Sequence, residues 1–332
     1  MSPETLFAFS SALIATAKVF LMGAAGFWLV WRGMLLPAGV SALASLVANL
    51  ALPCLIFQQF ALQFDPANFP GWWAIALAGV AFQLVQIALG WALSRRLSPA
   101  QGRDEMTMLL GFQNAGFFIL PLLQGLVPPA QFGRAAILLF VFIIFFNGSL
   151  WPVGNRVLLK TGAFDWKRIL LAPPTLWTLI ALIIFGAFHQ STLAWRDGAV
   201  WRALIGGQAP GAVGLVGATT IPLATIILGA TIAQTLRAGH FNNPRFAVEI
   251  AVWKLAIWPL IGLALIHFWP TPLFQDRVLR LLIMLEFATP PATNIAVFCQ
   301  QYDYPMKLTP AASLISYALC VFTIPFWVAL VL

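Results

Sequence analysis

Ten apolar stretches, each long enough to cross a bilayer as a helix, fill most of this 332-residue sequence. A transmembrane helix needs about 20 mainly apolar residues. Charged residues make up 8% of the chain, against roughly 25% in soluble domains. We therefore predict an all-α polytopic membrane protein with ten transmembrane helices in the lipid bilayer. The predicted spans cover approximately residues 5–31, 38–62, 70–94, 105–127, 132–155, 168–190, 208–235, 246–269, 276–299 and 308–332.

Lysine and arginine are unevenly distributed between the two sets of predicted loops. Eleven of the 18 lie in the loops that follow spans 1, 3, 5, 7 and 9, and five lie on the opposite side. The remaining two, Lys18 and Lys254, lie inside spans. Because basic loops stay in the cytoplasm, both termini are predicted to lie outside. The net charge of +8 then reflects topology, and no nucleic-acid partner is expected.

Two proline-containing segments, 111–121 and 286–301, interrupt spans 4 and 9. Proline inside a helix removes a backbone donor and clashes with the preceding turn, at a cost of about 3 kcal/mol or more. In a bilayer, the backbone groups that lose their partners must be satisfied by protein or by a water-lined cavity. One interrupted span in each half of the chain is typical of the binding site of a secondary transporter.

Prolines in corresponding spans are separated by a constant distance. Pro53 and Pro222 are 169 residues apart, and so are Pro121 and Pro290. This offset predicts a duplicated five-span unit, with residues 1–163 as the first repeat and residues 164–332 as the second. Since five is an odd number, the second repeat must be inverted in the membrane, as in many secondary transporters.

The interrupted spans form a candidate anion site. Pro121 is predicted to open one half-helix, and Thr289–Pro290–Pro291 to cap and open the other. Both N-termini would then face the membrane centre, where unpaired N–H groups and the helix dipole favour negative charge. Alternatively, the prolines produce two kinks whose carbonyl groups bond to neighbouring side chains. The predicted substrate-binding residues are Gln113, Asn114, Pro121, Asn147, Pro290, Pro291, Thr293 and Asn294.

Three ionisable residues lie deep inside predicted spans: Lys18, Lys254 and Glu286. A charged residue at the centre of a span costs about 2.5–3.5 kcal/mol even on the insertion scale. Each is therefore a candidate for coupling transport to an ion, and Glu286 is favoured because it lies four residues before Pro290. For the two lysines, a structural ion pair or a bond to a backbone carbonyl group is an equal alternative.

The sequence contains no pattern typical of an enzyme. Cys54, Cys299 and Cys320 lie in apolar runs without the spacing of metal ligands. There is no nucleotide-binding loop and no HExxH motif. We therefore expect no catalytic residue, no metal and no organic cofactor, and only H⁺ or Na⁺ as a coupling ion.

Several motifs resemble the auxin efflux carrier family. QNAGFFILPLL and TPPATNIAVFCQQYDYP are similar to the family's two crossing segments. ANLALPCLIFQQF, TTIPLATIILGATIA and AVWKLAIWPLIGL resemble its second, seventh and eighth helices. The order and spacing of these motifs extend the resemblance over nearly the whole chain. Because the long cytoplasmic loop of the larger plant members is missing, the sequence is most similar to compact bacterial carriers of the malonate-transporter type.

This resemblance implies ten helices in two inverted repeats, with helices 4 and 9 crossing at their prolines. It also implies transport of a small organic anion by an elevator-like motion in a bacterial inner membrane. Helices 1, 2, 6 and 7 would form a scaffold, through which two copies would associate as a homodimer. We therefore expect a secondary active transporter of a mono- or dicarboxylate, malonate-like or auxin-like. An anion channel or a membrane sensor with the same fold is the alternative.

Overall fold

A computed structural model describes residues 3–67, 69, 71–97, 102–161, 165–196, 198–206, 209–238, 244–268 and 275–332. Within these ranges the chain is helical, apart from turns, loops and two isolated β-bridges. Among the described residues, six helices are long and apolar enough to cross a membrane. They are α1 (Pro3–Trp31), α2 (Pro37–Gln63), α3 (Trp72–Leu97), α12 (Ala212–Arg237), α13 (Pro244–Phe268) and α16 (Thr309–Val331).

The other helices are shorter, and several form bent or broken pairs. Helices α9 and α10 together satisfy the same length and composition test, but they meet at an angle of 85°, which gives at most seven spans among the described residues. Predicted spans 4, 5 and 9 are each divided into two helices, so the count of ten remains a prediction. The short helices are α4 (Arg103–Gly111), α5 (Ile119–Leu126), α6 (Pro129–Phe142), α7 (Phe146–Val157), α8 (Trp166–Leu170), α9 (Pro173–Ala187), α10 (His189–Trp195), α11 (Ala199–Leu204), α14 (Arg277–Ala288) and α15 (Asn294–Gln301).

Proline also shapes the unbroken helix α13. Pro259 cannot donate a hydrogen bond to the carbonyl group of Leu255, four residues earlier. The helix adjusts with a π-helical turn at Trp253–Ile257, a local widening that often occurs at functional sites. The indole Nε1 of Trp327, on α16, donates to the Leu255 oxygen at 2.8 Å. This side chain therefore satisfies an acceptor that proline leaves unpaired, and it holds the turn that carries Lys254.

Helix α1 packs closely against α12 and also against α16. Glycine makes the close approach possible. A Cβ atom on Gly26 would lie 1.9 Å from the carbonyl oxygen of Ile226, and one on Gly229 would lie 1.8 Å from that of Gly23. Small residues let helix backbones meet in a membrane, where lipid is as apolar as the helix surface. Any larger side chain at Gly26 or Gly229 would therefore push these two helices apart.

Two carboxylate side chains connect the starts of helices from opposite halves of the chain. Glu105, at the start of α4, accepts hydrogen bonds from the backbone N–H groups of Leu308 and Thr309, at the start of α16. The Asp276 carboxylate caps α14 by accepting the backbone N–H groups of Val278 and Leu279, and it forms an ion pair with Arg134 of α6. Helices α4 and α14 both lead into proline-containing breaks. Each is thus held at its N-terminal end, away from the break.

Candidate functional site

The two predicted interruptions occur as non-helical segments between helices. Helix α4 ends at Gly111, the backbone is extended at Phe112, and α5 begins at Ile119. In the second half, α14 ends at Ala288, and α15 begins at Asn294. Each break therefore separates two short helices within one predicted span, and each leaves backbone groups without helical partners.

The breaks satisfy these backbone groups by pairing with each other. Gln113 and Pro291 form an antiparallel bridge. The N–H group of Asn114 donates to the Pro290 oxygen at 3.0 Å, and the N–H group of Ala292 donates to the Phe112 oxygen at 3.1 Å. Since proline offers an acceptor but no donor, Pro290 and Pro291 suit a segment that mainly receives hydrogen bonds. The two halves of the chain thus meet at this point.

A tyrosine from a third helix reinforces the contact. Asn114 Nδ2 donates to the hydroxyl group of Tyr317 at 2.7 Å, and this hydroxyl group donates to the Pro291 oxygen at 3.1 Å. Tyr317 was not predicted from the sequence. The available signal was its position, because Tyr317 is the only one of the three tyrosines that lies inside a predicted span. It connects α16 to both breaks.

The prolines do not begin the half-helices as predicted. Pro121 is the third residue of α5, whose start lies two residues earlier. The position is tolerated because the first four N–H groups of a helix have no partner within it. Thr289 does not cap α15, since its hydroxyl group bonds back to the Leu285 carbonyl group on α14. Thr293 is the N-cap residue of α15, although its side chain forms no capping hydrogen bond.

A cavity of about 870 Å³ adjoins the paired breaks. Four predicted binding residues line it: Gln113, Asn114, Thr293 and Asn294. Pro121, Pro290 and Pro291 are not among the lining residues, and the side chain of Asn147 lies outside the described part of the structure. Aromatic and aliphatic groups form much of the wall, including Leu120, Phe140, Ile143 and Phe146. The cavity thus combines a polar end at the breaks with apolar sides.

The opposite end of the cavity reaches the protein surface. Gln300 and Gln301, at the end of α15, line it and are exposed. Trp151 Nε1 donates to Gln301 Oε1 at 3.3 Å, which joins the middle of α7 to the end of α15. Arg168 on α8 is the only charged residue among those that line the cavity in the described chain. The lining therefore carries positive charge and no carboxylate.

Behind the cavity lies a group of buried polar residues, which we call the buried polar cluster: Gln83, Gln86, Gln113, Lys254 and Glu286. Gln113 Nε2 donates to Glu286 Oε2 at 3.0 Å, and Lys254 Nζ donates to Gln86 Oε1 at 3.2 Å. Gln83 Nε2 donates to the Gly111 oxygen at 2.9 Å, at the edge of the first break. All five side chains are essentially inaccessible. Gln83 and Gln86 were not predicted from the sequence. Two amide side chains about one helical turn apart in an apolar span could have indicated them.

Lys254 and Glu286 are a base and an acid that attract each other when both are ionised. They form none of the four salt bridges found among the described residues. Glu286 Oε1 and the Oε1 atoms of Gln83 and Gln113 are buried and have no hydrogen-bond partner in that part of the chain. An unmatched buried polar atom costs about 1–3 kcal/mol. The cluster thus keeps acceptor capacity that a proton or a small cation could use.

Lys18 does not join the buried polar cluster. It lies on the exposed face of α1, and the cluster's hydrogen bonds do not involve it. Its role in coupling therefore stays a prediction, without support from this cluster. Position along a span indicates depth in the membrane, but it does not indicate which side of the helix faces protein. The described residues also contain no group of three His, Cys, Asp or Glu side chains that could hold a metal ion.

The sequence matches the family described as membrane transport protein over residues 11–160 and 155–328. It is similar to two Arabidopsis thaliana proteins, Protein PIN-LIKES 7 (29% identical over 163 residues) and Protein PIN-LIKES 5 (32% identical over 170 residues). These alignments cover 46% and 48% of this chain but only 37% and 39% of the relatives. The family match extends over nearly the whole sequence and indicates a multi-pass transporter, not an enzyme. The chain belongs to the auxin efflux carrier family of membrane transport proteins.

Proposed function

We propose that this protein is a secondary active transporter of a small organic anion, a mono- or dicarboxylate. The observation that carries the proposal is the position of Gln113. Gln113 is one of the residues that line the cavity, and its side chain donates to buried Glu286. A substrate at Gln113 would therefore be separated from an ionisable group by one hydrogen-bonded side chain. A connection through one hydrogen-bonded side chain can link the binding of a substrate to the binding of an ion.

The chemistry of the cavity supports an anion. None of the described residues that line it is acidic, and Arg168 contributes a positive charge. The first turns of α5 and α15 begin beside Gly116 and Thr293, which also line the cavity. The N-terminus of a helix favours a negative charge because its N–H groups are unpaired and its dipole is positive there. A carboxylate could accept hydrogen bonds from Asn114, Thr293 and Asn294, while its carbon skeleton contacts the apolar wall.

The proposal includes two inverted repeats, residues 1–163 and 164–332, that alternate access by an elevator-like motion. The two breaks occupy corresponding spans and pair across the repeats. Glu105 and Asp276 add to the resemblance between halves, because each lies at the start of the helix that leads into a break. The scaffold would contain α1, α2, α9 and α12, which pack against one another as α1 with α12 and α2 with α9 and α12. We propose that this scaffold also forms a homodimer.

We further propose that the protein lies in a bacterial inner membrane with both termini outside. The cavity then opens toward the cytoplasm, on the side of the basic loops. Thr161 and Gly198 are exposed residues in loops on opposite sides under this topology. In intact cells that express a cysteine-free parent, Thr161→Cys should be shielded from a membrane-impermeant maleimide, whereas Gly198→Cys should react. Permeabilised cells, in which both cysteines should react, provide the control. The reverse labelling pattern would refute the orientation.

Substrate binding tests the role of Asn114. Replacement of Asn114 by alanine should weaken carboxylate binding by about 1–3 kcal/mol, because a buried polar partner is lost and the hydroxyl group of Tyr317 loses its donor. Equilibrium binding of radiolabelled malonate and indole-3-acetate to purified protein measures the effect. Asn49→Ala is a matched control, since in the described part of the chain the Asn49 side chain bonds to Ser45 and Asn49 does not line the cavity. Equal affinities in the two variants would remove Asn114 from the site.

Proteoliposomes distinguish a carrier from the other functions. Saturable counterflow of a labelled carboxylate, driven by unlabelled substrate, is expected for a carrier. Large unitary anion currents without counterflow would identify a channel. Binding without flux would identify a sensor. Imposed H⁺ and Na⁺ gradients, applied separately, then determine which ion drives accumulation.

A further inference from the structure

Arg168 differs from every other residue that lines the described cavity, because it alone is charged. We propose that Arg168 is an entry subsite for the anionic group of the substrate. It would bind a carboxylate at the mouth of the cavity before that carboxylate reaches the paired breaks. The inference rests on the proposed transport function. It assigns a role in that function to a residue that was not among the predicted site residues.

The first observation is the way in which the backbone of Arg168 is fixed. Helix α8 contains only five residues, and Asp165 caps it by accepting the N–H groups of Lys167 and Arg168 at 3.0 and 3.4 Å. Ile169 is buried and lies directly against Gly148 of α7. A Cβ atom added to Gly148 would lie 2.4 Å from the Cα atom of Ile169. Because Gly148 itself lines the cavity, this contact holds the short helix at the cavity wall.

The second observation is the electrostatic surroundings of the guanidinium group. Arg168 is exposed, and it takes part in none of the ion pairs found in the described ranges. The nearest residue with an opposite charge along the chain, Asp165, accepts hydrogen bonds from the helix backbone. Gln234, Gln300 and Gln301, which line the same cavity, are uncharged. Among the described lining residues, no carboxylate competes with an incoming anion.

The position of Arg168 indicates an effect on the association rate of the anion more than on its dissociation rate. Arg168 lies toward the exposed end of the cavity, whereas Asn114 lies at the buried end beside the breaks. A single positive charge in a concave, low-dielectric wall concentrates the field and raises the rate of anion association. Its action should weaken with salt, since the screening length is about 8 Å at physiological ionic strength. Arginine also suits a carboxylate better than lysine does, because it offers two parallel donors.

The test compares Arg168→Gln with Lys167→Gln in purified protein. Lys167 is the adjacent residue on α8, has the same charge and does not line the cavity. For a carboxylate that the parent protein transports, stopped-flow tryptophan fluorescence gives association and dissociation rates. In Arg168→Gln the association rate constant should fall about tenfold and should lose most of its dependence on ionic strength. The dissociation rate should change by less than about twofold. Lys167→Gln should behave like the parent, and Arg168→Lys should be intermediate.

The outcomes separate this inference from the transport proposal. If Arg168→Gln and Lys167→Gln show the same association rate and salt dependence, the entry subsite is refuted while carboxylate transport stands. If only the dissociation rate rises in Arg168→Gln, the residue belongs to the central site, and its role in entry is refuted. If the parent neither binds nor transports malonate or indole-3-acetate, both proposals fail. Thermal unfolding of each variant verifies folding, and Arg168→Lys gives an independent reading if Arg168→Gln is unstable.

Discussion

Replacement of Glu105 by alanine should destabilise the protein by about 3 kcal/mol or more, the largest loss of stability that we expect from a single polar substitution. The Glu105 carboxylate is buried and accepts four hydrogen bonds. Its donors are the N–H groups of Lys307, Leu308 and Thr309, at 3.0, 2.9 and 2.6 Å, and the Thr309 hydroxyl group at 2.6 Å. Alanine would leave these donors without an acceptor in a buried position.

The location of Glu105 increases the expected effect. The first N–H groups of a helix have no partner within the helix, and a negative charge there is also stabilised by the helix dipole. Glu105 provides both contributions to α16, although it belongs to α4, about 200 residues earlier in the sequence. The substitution should therefore weaken the contact between the two halves of the chain as well as the start of one helix.

Thermal unfolding in detergent measures this effect, with Asp104→Ala as the matched control. Asp104 is the adjacent residue and forms an exposed ion pair with Lys160 at 2.8 Å, so its loss should cost less than about 1 kcal/mol. Glu105→Gln should fall between the two variants. Burial and the carboxylates of Glu105 and Asp104 raise the pKa of nearby Tyr304 to about 12, so this phenol stays neutral during measurements near pH 7. Equal unfolding temperatures for Glu105→Ala and Asp104→Ala would contradict the stabilising role of Glu105.

The sequence was informative about the breaks because proline acts on the backbone within one turn. Pro121, Pro290 and Pro291 could therefore indicate where helices would be interrupted without any knowledge of their neighbours. Gln113 and Asn114 could be selected because amides are rare in an apolar segment. The exact starts of α5 and α15 could not be predicted, since proline is tolerated anywhere among the first residues of a helix that lack backbone partners.

Residues that act through tertiary contacts were harder to identify. Tyr317 and Gln86 belong to the site because α16 and α3 bring them to the breaks and to Lys254. Lys18 shows the opposite case. It also lies deep within a span, but the fold leaves it on an exposed face of α1. In a soluble helix, polarity would distinguish the two faces. In a membrane, lipid is as apolar as the protein interior, so hydrophobic pattern alone does not show which face is buried.

The buried pair of Lys254 and Glu286 gives a physical basis for coupling to protons. When Glu286 is ionised, the two charges offset each other in a region that excludes water. When Glu286 accepts a proton, the charge of Lys254 is no longer offset, and the cluster becomes more positive. A positive cluster favours an anion in the adjoining cavity, and a bound anion in turn favours protonation. Proton and substrate should therefore move in the same direction.

Glu286→Gln should preserve exchange of substrate but abolish accumulation driven by a pH gradient, because glutamine resembles the protonated acid and cannot release a proton. One pH unit corresponds to about 1.4 kcal/mol per proton, enough for roughly tenfold accumulation by the parent protein. Counterflow and net uptake in proteoliposomes measure the two activities separately. Glu249→Gln is the matched control, since Glu249 is paired with Arg245 at 3.0 Å and lies outside the buried polar cluster.

The same experiment distinguishes a proton from a sodium ion. If a Na⁺ gradient drives accumulation by the parent and a pH gradient does not, the unpaired oxygen atoms of Gln83, Gln113 and Glu286 become the candidate cation ligands. Glu286→Gln should then abolish the Na⁺-driven uptake, since it removes the negative charge of that set. If Glu286→Gln concentrates substrate like the parent protein under both gradients, neither ion couples through Glu286. In that case its hydrogen bond to Gln113 serves only to position the first break.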